Sequence, residues 1–346
     1  MKLFIFGSTG DLVKRKILPS LESMPIKNLE IYAIGRRDLN TKSYLDLACE
    51  KCSPEFKKKI RYIQIDYNKD NFLEKFLEYL DKKEINYFYV ALPPQMYKQI
   101  LEKLAELKQK RIIIRILLEK PFGSNLKEAK ELASLINKKN LNEEIFLSDH
   151  YLFKKEIRNL KEREFKKLEI RSLEKIGLEG RVNFYDEIGA LKDMIQSHLM
   201  NILFKLVKTS ELKNYTIEYY FRAQYGDGKS KGYIKDLGKD SETETFAYLV
   251  LRTKDKEIIL ATGKALDEKI ISINIDEQLI IVKDDKSYEN LLNDFFAGKK
   301  DDFPDINDAI LSWEIIEKAL TIKSKLGYYN KGDSLQQVLS KLTKKL

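Results

Sequence analysis

The chain has 346 residues and is 43% hydrophobic, an ordinary share for a globular protein, and its length is enough for two domains with separate cores. No apolar run approaches the roughly 20 residues that a membrane-spanning helix requires, which argues against a membrane protein. The formal net charge of +9 is spread among mixed lysines and acids without an Arg-rich tail, which favours small anionic ligands over nucleic acid.

The amino-terminal segment MKLFIF has the apolar character of the start of a signal peptide. Its apolar run stops at Gly7, too short for the apolar region of a signal peptide, and no small-residue cleavage site follows. We therefore predict a cytoplasmic protein, in which Cys49 and Cys52 of the CEKC segment are two reduced thiols. A zinc site would require a second ligand pair near these cysteines, so no metal site is predicted.

The first 150 residues alternate strand-like and helix-like patterns. Short runs rich in Ile, Val, Phe and Tyr predict strands at KLFIF, EIYAI, RYIQI, YFYVAL, RIIIRILL and EIFLS. Stretches with helical spacing lie between them, including Leu12–Leu21, Gln95–Lys108 and Leu126–Lys138. This alternation predicts an α/β Rossmann-type domain over residues 1–149, built on a doubly wound parallel sheet.

From about residue 167 the pattern changes to strands that follow one another. The predicted strand KKLEIRSLEKI leads to one long helix over 188–206, and the strands TETFAYLVLRT, EIILATG, KIISINI and QLIIVK come next, separated by short turns. Two helices, over 288–297 and 306–323, close the chain. Residues 150–346 are therefore predicted to form an α+β domain with a mainly antiparallel sheet, which binds substrate and provides a possible dimer interface.

The first predicted strand runs into GSTGDLVKRKILPSL, in which Gly7 and Gly10 bracket a tight turn before a helix. Such a turn lets backbone N–H groups approach a pyrophosphate, although glycines after a strand often serve only to make the turn. After the second strand, AIGRRD has Arg36 and Arg37 where NAD-binding sheets place an acid. A guanidinium pairs with phosphate, which favours NADP; the alternative is a pair of solvated loop arginines.

The chain has only two histidines. His150 follows Asp149 in LSDHYLFKK, either in a surface turn or in a site where an acid–base group meets an anion. His198 falls within an apolar stripe of the predicted helix 188–206, so a packed histidine is the alternative to a catalytic one. An ideal α-helix puts Asp193 about 140° round from His198, so both face one pocket only if Asp193 lies in the first turn or before the helix.

Several of these stretches resemble the glucose-6-phosphate dehydrogenase family. In that family's order, the chain contains GSTGDLVKRKILPSL, YVALPPQMY, LLEKPFG, SDHYLFKK, GLEGRVNFYDEIGALKDMIQSHL, AQYGDG with KGY, TGKALDEK, and ENLLNDFFAG with SWEII. EKPFG is shared with other sugar oxidoreductases, whereas DHYLFK with YDEIGALKDMIQSHL is specific. The resemblance implies an oxidoreductase that converts glucose 6-phosphate and NADP to 6-phosphoglucono-1,5-lactone and NADPH, the first step of the oxidative pentose phosphate pathway.

The resemblance also implies roles for individual residues. It places NADP on Gly7, Ser8, Thr9, Gly10, Asp11, Leu12, Arg36, Tyr97 and Lys120. It places the sugar and its phosphate on Lys120, His150, Tyr151, Lys154, Glu174, Asp193, Lys264 and Lys269. His198 is then the base that removes the C1 hydroxyl proton, and Asp149 orients it, a pairing suited to proton transfer because an acid fixes the imidazole tautomer.

The chain departs from the family pattern at single positions and in its second domain. Leu147, Phe153 and Ser197 stand where the family has arginine, glycine and asparagine, and the sequence after IIVKDDK is shortened. The family's dimer is built by the sheet of this domain, so a homodimer through that sheet is possible. Two alternatives remain: a dehydrogenase of a different sugar or sugar phosphate, and a non-catalytic binding or scaffold protein that retains the fold.

Overall fold

The computed structural model of the chain describes residues 1–67, 72–178, 180, 182–283 and 286–343. The chain folds into two compact units, Met1–Phe153 with Lys286–Ile306 and Lys154–Asp285 with Asn307–Leu346. The segment Lys286–Ile306 joins the first unit because its aromatic residues pack there. The rings of Phe295 and Phe296 lie 5.6 and 5.1 Å from that of Tyr87. The division of cofactor and substrate binding between 1–149 and 150–346 stays a prediction.

Strands and helices run through both units. In chain order the strands are β1 (Lys2–Phe6), β2 (Glu30–Gly35), β3 (Ile60–Gln64), β4 (Asn86–Val90), β5 (Ile114–Leu118), β6 (Ile145–Leu147), β7 (Lys167–Leu173), β8 (Thr216–Tyr225), β9 (Phe246–Arg252), β10 (Glu257–Gly263), β11 (Ile270–Ile275), β12 (Gln278–Val282) and β13 (Leu326–Tyr329). The α-helices are α1 (Leu18–Ser23), α2 (Thr41–Ala48), α3 (Pro54–Lys57), α4 (Tyr97–Gln109), α5 (Leu126–Lys138), α6 (Lys155–Arg158), α7 (Val182–Asp186), α8 (Met200–Leu206), α9 (Tyr233–Leu237), α10 (Ser287–Ala297), α11 (Ile306–Leu320) and α12 (Leu335–Thr343). Two segments are wound as π-helix, Val13–Ile17 and Leu191–Leu199, and short 3₁₀ turns cover Phe72–Lys75, Leu77–Tyr79, Pro94–Met96 and Thr209–Asn214.

The first unit is built on a six-stranded parallel sheet in the order β3-β2-β1-β4-β5-β6. This is the strand order of a doubly wound dinucleotide-binding sheet. The central strands are buried on both faces, and β4 is buried at every residue. Parallel strands in this situation form continuous apolar runs, which is why the sequence indicated them. The predicted Rossmann-type fold is confirmed.

Aromatic side chains fix the central strands of this sheet side by side. Phe4 of β1 lies directly opposite Tyr32 of β2 and Phe88 of β4, with ring centroids 4.8 and 5.1 Å apart. Phe76 packs on the same ring at 5.5 Å. Aromatic pairs of this kind add about 0.5–1.5 kcal/mol each beyond their buried area. The cluster therefore helps to set the register that aligns the carboxyl ends of these strands.

The second unit contains a seven-stranded sheet in the order β12-β11-β7-β10-β9-β8-β13. The pairs β7–β10 and β8–β13 are parallel, and the other neighbours are antiparallel. The predicted α+β unit with a mainly antiparallel sheet is confirmed. Three elements of this unit, β8, β13 and the closing helix α12, were not predicted from the sequence.

The long helix predicted over 188–206 is present, but its first part is not an α-helix. Leu191–Leu199 is wound as a π-helix and α8 continues it. The N–H of Met200 donates to the carbonyl of Ile195, a hydrogen bond between residues five apart. This winding changes which side chains share a face of the helix.

The prediction of two reduced thiols is wrong, because the structure joins Cys49 and Cys52 in a disulfide. A tight turn follows α2, in which the N–H of Cys52 donates to the carbonyl of Cys49 at 3.0 Å. The turn brings the two Cα atoms to 5.1 Å, within the usual range for a disulfide.

Among the described residues, no helix is both long and apolar enough to cross a bilayer.

Candidate active site

The turn after β1 lies at the carboxyl edge of the first sheet. Gly7 has φ +75°, and a Cβ there would lie 2.1 Å from the carbonyl oxygen of Ala91, so only glycine fits. The N–H of Gly10 donates to the Gly7 carbonyl at 2.9 Å and closes the turn. Gly10 and Asp11 are exposed and Thr9 and Leu12 are partly exposed. The predicted phosphate-binding turn is therefore open to a ligand.

Ser8 and Asp11 have different settings within this turn. The Ser8 side chain is fully buried. The backbone N–H of Ser8 donates to the Ile34 carbonyl at 3.0 Å, and the Ser8 carbonyl accepts from the Tyr44 hydroxyl at 3.2 Å. Its hydroxyl is a buried polar atom that has no hydrogen-bond partner among the described residues. Asp11 pairs with Arg15 at 2.8 Å on the surface. Ser8 thus anchors the turn from below, and the outer residues face the solvent.

The arginine pair follows β2 at the same edge as this turn. Phe6 of β1 lies opposite Ile34 of β2, so Arg36 comes just beyond the turn that begins at Gly7. Both Arg36 and Arg37 are exposed. The carbonyl of Arg37 accepts the Tyr62 hydroxyl at 2.8 Å, which fixes the backbone and leaves the guanidinium groups at the surface.

The turn and the arginine pair fit NADP. The turn admits close backbone approach, as a diphosphate requires. Positive charge stands where an NAD-binding sheet has an acid, so a 2′-phosphate would find a partner and no repulsion.

The segment after β5 carries Glu119 and Lys120, followed by a cis Lys120–Pro121 peptide. Lys120 is partly exposed, and Glu119 beneath it is buried. Tyr97, the first residue of α4, is fully buried and donates its hydroxyl to the Glu119 carbonyl. Tyr97 therefore supports this segment from within the core, and its contact with the cofactor stays a prediction.

Asp149 and His150 follow β6, the neighbour of β5 in the sheet. Asp149 is buried and accepts the Tyr151 N–H at 3.0 Å. The ring of His150 stacks on Tyr288 at 4.7 Å, and its Nδ1 lies 3.3 Å from the Tyr288 hydroxyl. Burial raises the pKa of Tyr288, and the charges of Glu119 and Asp149 add to the rise. Tyr288 thus contacts His150, a predicted site residue, but was not itself predicted from the sequence.

The signal in the sequence that could have identified Tyr288 is its position directly before the family-like block ENLLNDFFAG. It lies at the start of α10, more than 130 residues after His150, so only the fold brings the two rings together.

In the second unit, three predicted substrate residues meet at the end of β7. This strand is parallel to β10, with Leu173 opposite Gly263, so the next residues, Glu174 and Lys264, form an ion pair. The antiparallel register of β11, with Ile270 opposite Leu173, places the exposed Lys269 beside the same end. Lys264 therefore pairs with the Glu174 carboxylate, and Lys269 adds a second positive charge at the same strand end, an arrangement that suits an anionic ligand.

Lys154 lies elsewhere in this unit, at the start of α6. It is buried, with 3% of its surface exposed, and its ammonium lies 3.4 Å from the carbonyl of Lys283. A buried lysine must have its charge compensated. Its contact with the substrate phosphate stays a prediction.

Asp193 and His198 lie on the π-wound segment of the long helix. In a π-helix, residues five apart are one hydrogen-bonded turn apart, so these two side chains share a face. The 140° separation applies to an ideal α-helix. The structure instead places Asp193 in the first turn of a π-wound segment, which is the position that the sequence required for both residues to face one pocket. His198 is buried, while Asp193 is partly exposed. The N-terminus of the helix is held by Glu244, whose carboxylate accepts the Leu191 N–H at 3.0 Å.

Comparisons with known proteins agree with this architecture. The family model described as glucose-6-phosphate dehydrogenase, NAD binding domain, matches residues 4–159, and the model of the same family's C-terminal domain matches 157–215. A glucose-6-phosphate 1-dehydrogenase of Helicobacter pylori strain J99 is 30% identical over 286 residues, which cover 70% of this chain and 67% of the relative. One from Buchnera aphidicola is 30% identical over 360 residues, covering 85% and 72%.

The chain belongs to the glucose-6-phosphate dehydrogenase family. This confirms the resemblance, the oxidoreductase class and NADP as the cofactor. Among solved structures, a glucose-6-phosphate dehydrogenase in complex with glucose-6-phosphate is similar with a TM-score of 0.82 at 21% identity, covering 99% of this chain and 97% of that one. The Mycobacterium avium enzyme gives 0.81 at 22%, covering 96% and 94%. These structural matches support the two-unit fold of the family.

Proposed function

We propose that the chain oxidises glucose 6-phosphate to 6-phosphoglucono-1,5-lactone and reduces NADP to NADPH. The chain is a member of this family, and the observation that supports the proposal is the set of side chains at the carboxyl edge of its first sheet. Lys120 follows β5, and Asp149 and His150 follow its neighbour β6, so an acid, an imidazole and a cation stand at adjacent strand ends.

The cofactor is held by the turn Gly7–Leu12 and by Arg36. The turn provides close backbone approach to the diphosphate, and the exposed guanidinium pairs with the 2′-phosphate. Bound NADP accepts the hydride that leaves C1 of the sugar. Lys120 and Tyr97 line the nicotinamide side, Lys120 at the surface and Tyr97 from below.

The proton leaves the C1 hydroxyl to His198, which acts as the general base. Asp149 holds the imidazole in the reactive tautomer and stabilises the imidazolium that forms. Asp193 shares the face of the helix with His198 and accepts hydrogen bonds from the sugar hydroxyls. The π-winding is what allows an acid and a base five residues apart to act on one molecule.

The phosphate of the substrate is bound by His150, Tyr151 and Lys154, and Lys264 and Lys269 add positive charge. Glu174 and Lys264 form an ion pair in the structure. In the proposed complex, Glu174 binds a sugar hydroxyl and Lys264 contacts the ligand. Lysines are suitable phosphate partners because they carry several donors on a flexible stem. The positive charge that these lysines bring to the substrate side favours a phosphorylated sugar over a free one.

A homodimer through the second sheet is part of the proposal. One row of side chains crosses this sheet on a single face in register: Leu279, Asn274, Glu169, Ile259, Val250 and Tyr219. Leu279 and Tyr219 at its two ends are 60% and 47% exposed, and Ile281 in the neighbouring row is 43% exposed. These exposed apolar residues at the edges of the sheet are the observation that motivates the proposed interface. We place the protein in the cytoplasm, without membrane or nucleic-acid partners.

The test is NADPH formation, followed by absorbance, with a panel of glucose 6-phosphate, other hexose 6-phosphates and free glucose. Glucose 6-phosphate should give the highest kcat/KM with NADP. A higher kcat/KM for another sugar would reassign the substrate. No turnover with any member of the panel, in a folded protein that binds NADP, would favour a binding or scaffold protein.

A further inference from the structure

Glu119 is a buried carboxylate for which the proposed reaction has no use. It follows β5, where its N–H donates to the Val90 carbonyl of β4 at 3.1 Å, while the Ser148 N–H of the next strand donates to the Leu118 carbonyl at 2.8 Å. Its side chain is 8% exposed. A buried acid is costly unless hydrogen bonds compensate it, so its contacts need an explanation.

The carboxylate of Glu119 connects three adjacent strand ends. It accepts hydrogen bonds from the Tyr89 hydroxyl of β4 and from the Ser148 hydroxyl after β6, the latter at 3.0 Å. Its second oxygen accepts the Lys120 N–H at 3.3 Å. Burial raises the pKa of Glu119, and the hydrogen bonds from Tyr89 and Ser148 oppose that rise. One side chain thus ties β4, β5 and β6 together at their carboxyl ends.

The residues that Glu119 holds are immediate neighbours of the reacting groups. Ser148 precedes Asp149 and His150 in the chain, and the bonded N–H belongs to Lys120 itself. Tyr288, which stacks on His150, is also affected by the charge of Glu119. A shift of this carboxylate would therefore reach both Lys120 and the Asp149–His150 pair.

We propose that Glu119 is a positioning residue, which fixes Lys120 and the Asp149–His150 pair at adjacent strand ends in their working geometry. The catalytic part of this inference rests on the proposed function, whereas the effect on His150 does not. Groups that orient functional side chains through hydrogen bonds are worth about ten- to a hundredfold in activity at metal sites, and we expect a similar scale.

The variant Glu119→Gln keeps the shape of the side chain and removes its charge and one acceptor. The matched control is Glu30→Gln, because Glu30 also accepts a tyrosine hydroxyl, from Tyr32 at 2.7 Å, but at the opposite end of the same sheet. We expect kcat with glucose 6-phosphate to fall about ten- to a hundredfold in Glu119→Gln. The KM for NADP and the activity of Glu30→Gln should stay close to wild type.

A double variant separates positioning from general damage. If Glu119 acts through Asp149, adding Glu119→Gln to Asp149→Asn should lower kcat little further, because the second change removes support from a group already lost. Two independent effects would multiply instead. Multiplied losses would contradict the part of the inference that concerns Asp149.

A measurement on histidine does not depend on activity. The chain has two histidines, so NMR of labelled imidazoles gives two sets of signals, assigned with His198→Asn. The His150 signals should shift in Glu119→Gln and not in Glu30→Gln. Unchanged His150 signals in a folded Glu119→Gln variant overturn the inference, even if the wild type turns over no sugar. Turnover in the wild type with unchanged kcat in Glu119→Gln also overturns it and leaves the proposed function intact.

Discussion

At the scale of single residues, the proposed chemistry depends on side chains at the carboxyl edge of the first sheet. Arg36, Lys120 and Asp149 stand at strand ends of the first sheet, as the motif order indicated. Tyr97 and Ser8 instead have buried side chains, and Tyr288 was missed. Burial and long-range stacking depend on how distant segments pack, which a motif does not encode.

Arg36 should decide between the two nicotinamide cofactors. Arg36→Glu should weaken NADP binding by roughly 1.5–3 kcal/mol, the scale of a charged hydrogen bond, because the guanidinium pairs with the 2′-phosphate. NAD lacks this phosphate, so its binding should change far less. Titration of both cofactors into wild type and variant checks the prediction. An equal loss for NADP and NAD would mean that Arg36 has a structural role.

Lys154 should recognise the substrate phosphate. Lys154→Ala should raise the KM for glucose 6-phosphate strongly and leave any weak activity on free glucose nearly unchanged, because only the phosphorylated sugar loses a partner. Lys155→Ala is the control, since it removes the same charge from the exposed neighbouring residue. If both substrates suffer alike in Lys154→Ala, the phosphate assignment is wrong.

At the scale of elements, the strands that are covered on both faces were predicted correctly. The strands of the first sheet were indicated by continuous apolar runs, because parallel strands covered on both faces need them. The π-winding of Leu191–Leu199 was not predicted, because an apolar stripe looks alike in sequence for an α-helix and a π-helix. The sequence allowed Asp193 and His198 to face one pocket if Asp193 lay in the first turn, and Asp193 does lie in the first turn of the π-wound segment.

The start of this helix should be sensitive to Gly189. Its φ is +75°, and a Cβ there would lie 2.6 Å from the carboxylate of Glu244, which holds the Leu191 N–H. Gly189→Ala should lower the free energy of unfolding by about 1–2 kcal/mol, because alanine adopts the left-handed backbone at a cost. It should also lower kcat, because the displaced Glu244 carboxylate loosens the helix that carries His198.

The control for Gly189→Ala is Gly238→Ala. Gly238 has φ +78°, and its Cβ would meet no atom within 4 Å among the described residues. The Gly238→Ala variant should lose a similar free energy of unfolding and keep the kcat of the wild type. Thermal unfolding and turnover of both variants check this, and equal kcat in the two would show that Glu244 does not act on the site.

At the scale of the whole molecule, the path of the chain through the two compact units could not be predicted. Lys286–Ile306 returns to the first unit because Phe295 and Phe296 pack on Tyr87, and the Arg115 guanidinium donates to the carbonyls of both phenylalanines. Contacts between segments about 200 residues apart leave no periodic signal. The short strand β13 was missed for a similar reason, since its four residues pair with the distant β8.

Stability should depend on pH through the buried acids. Burial raises the pKa of Glu244 above its ordinary value of 4.5, against the opposing hydrogen bond from Leu191. The stabilisation from a neutral carboxyl is fully present below pH 4.5 and is lost as the pH rises through the raised folded pKa. Glu244→Gln cannot ionise. The stability of wild type relative to this variant should therefore fall as the pH rises above 4.5, as measured by urea unfolding. A constant difference would contradict the raised pKa.

The most direct test of the whole account is turnover in His198→Asn. The change keeps a polar group of similar size and removes the base, so kcat with glucose 6-phosphate and NADP should fall by about 10²–10⁴. NADP binding and thermal unfolding, measured on the same preparation, should stay near wild type. Asp149→Asn should lose less, because it leaves the imidazole present but poorly oriented. Near-normal kcat in a folded His198→Asn protein would contradict the mechanism and make His198 a packing residue.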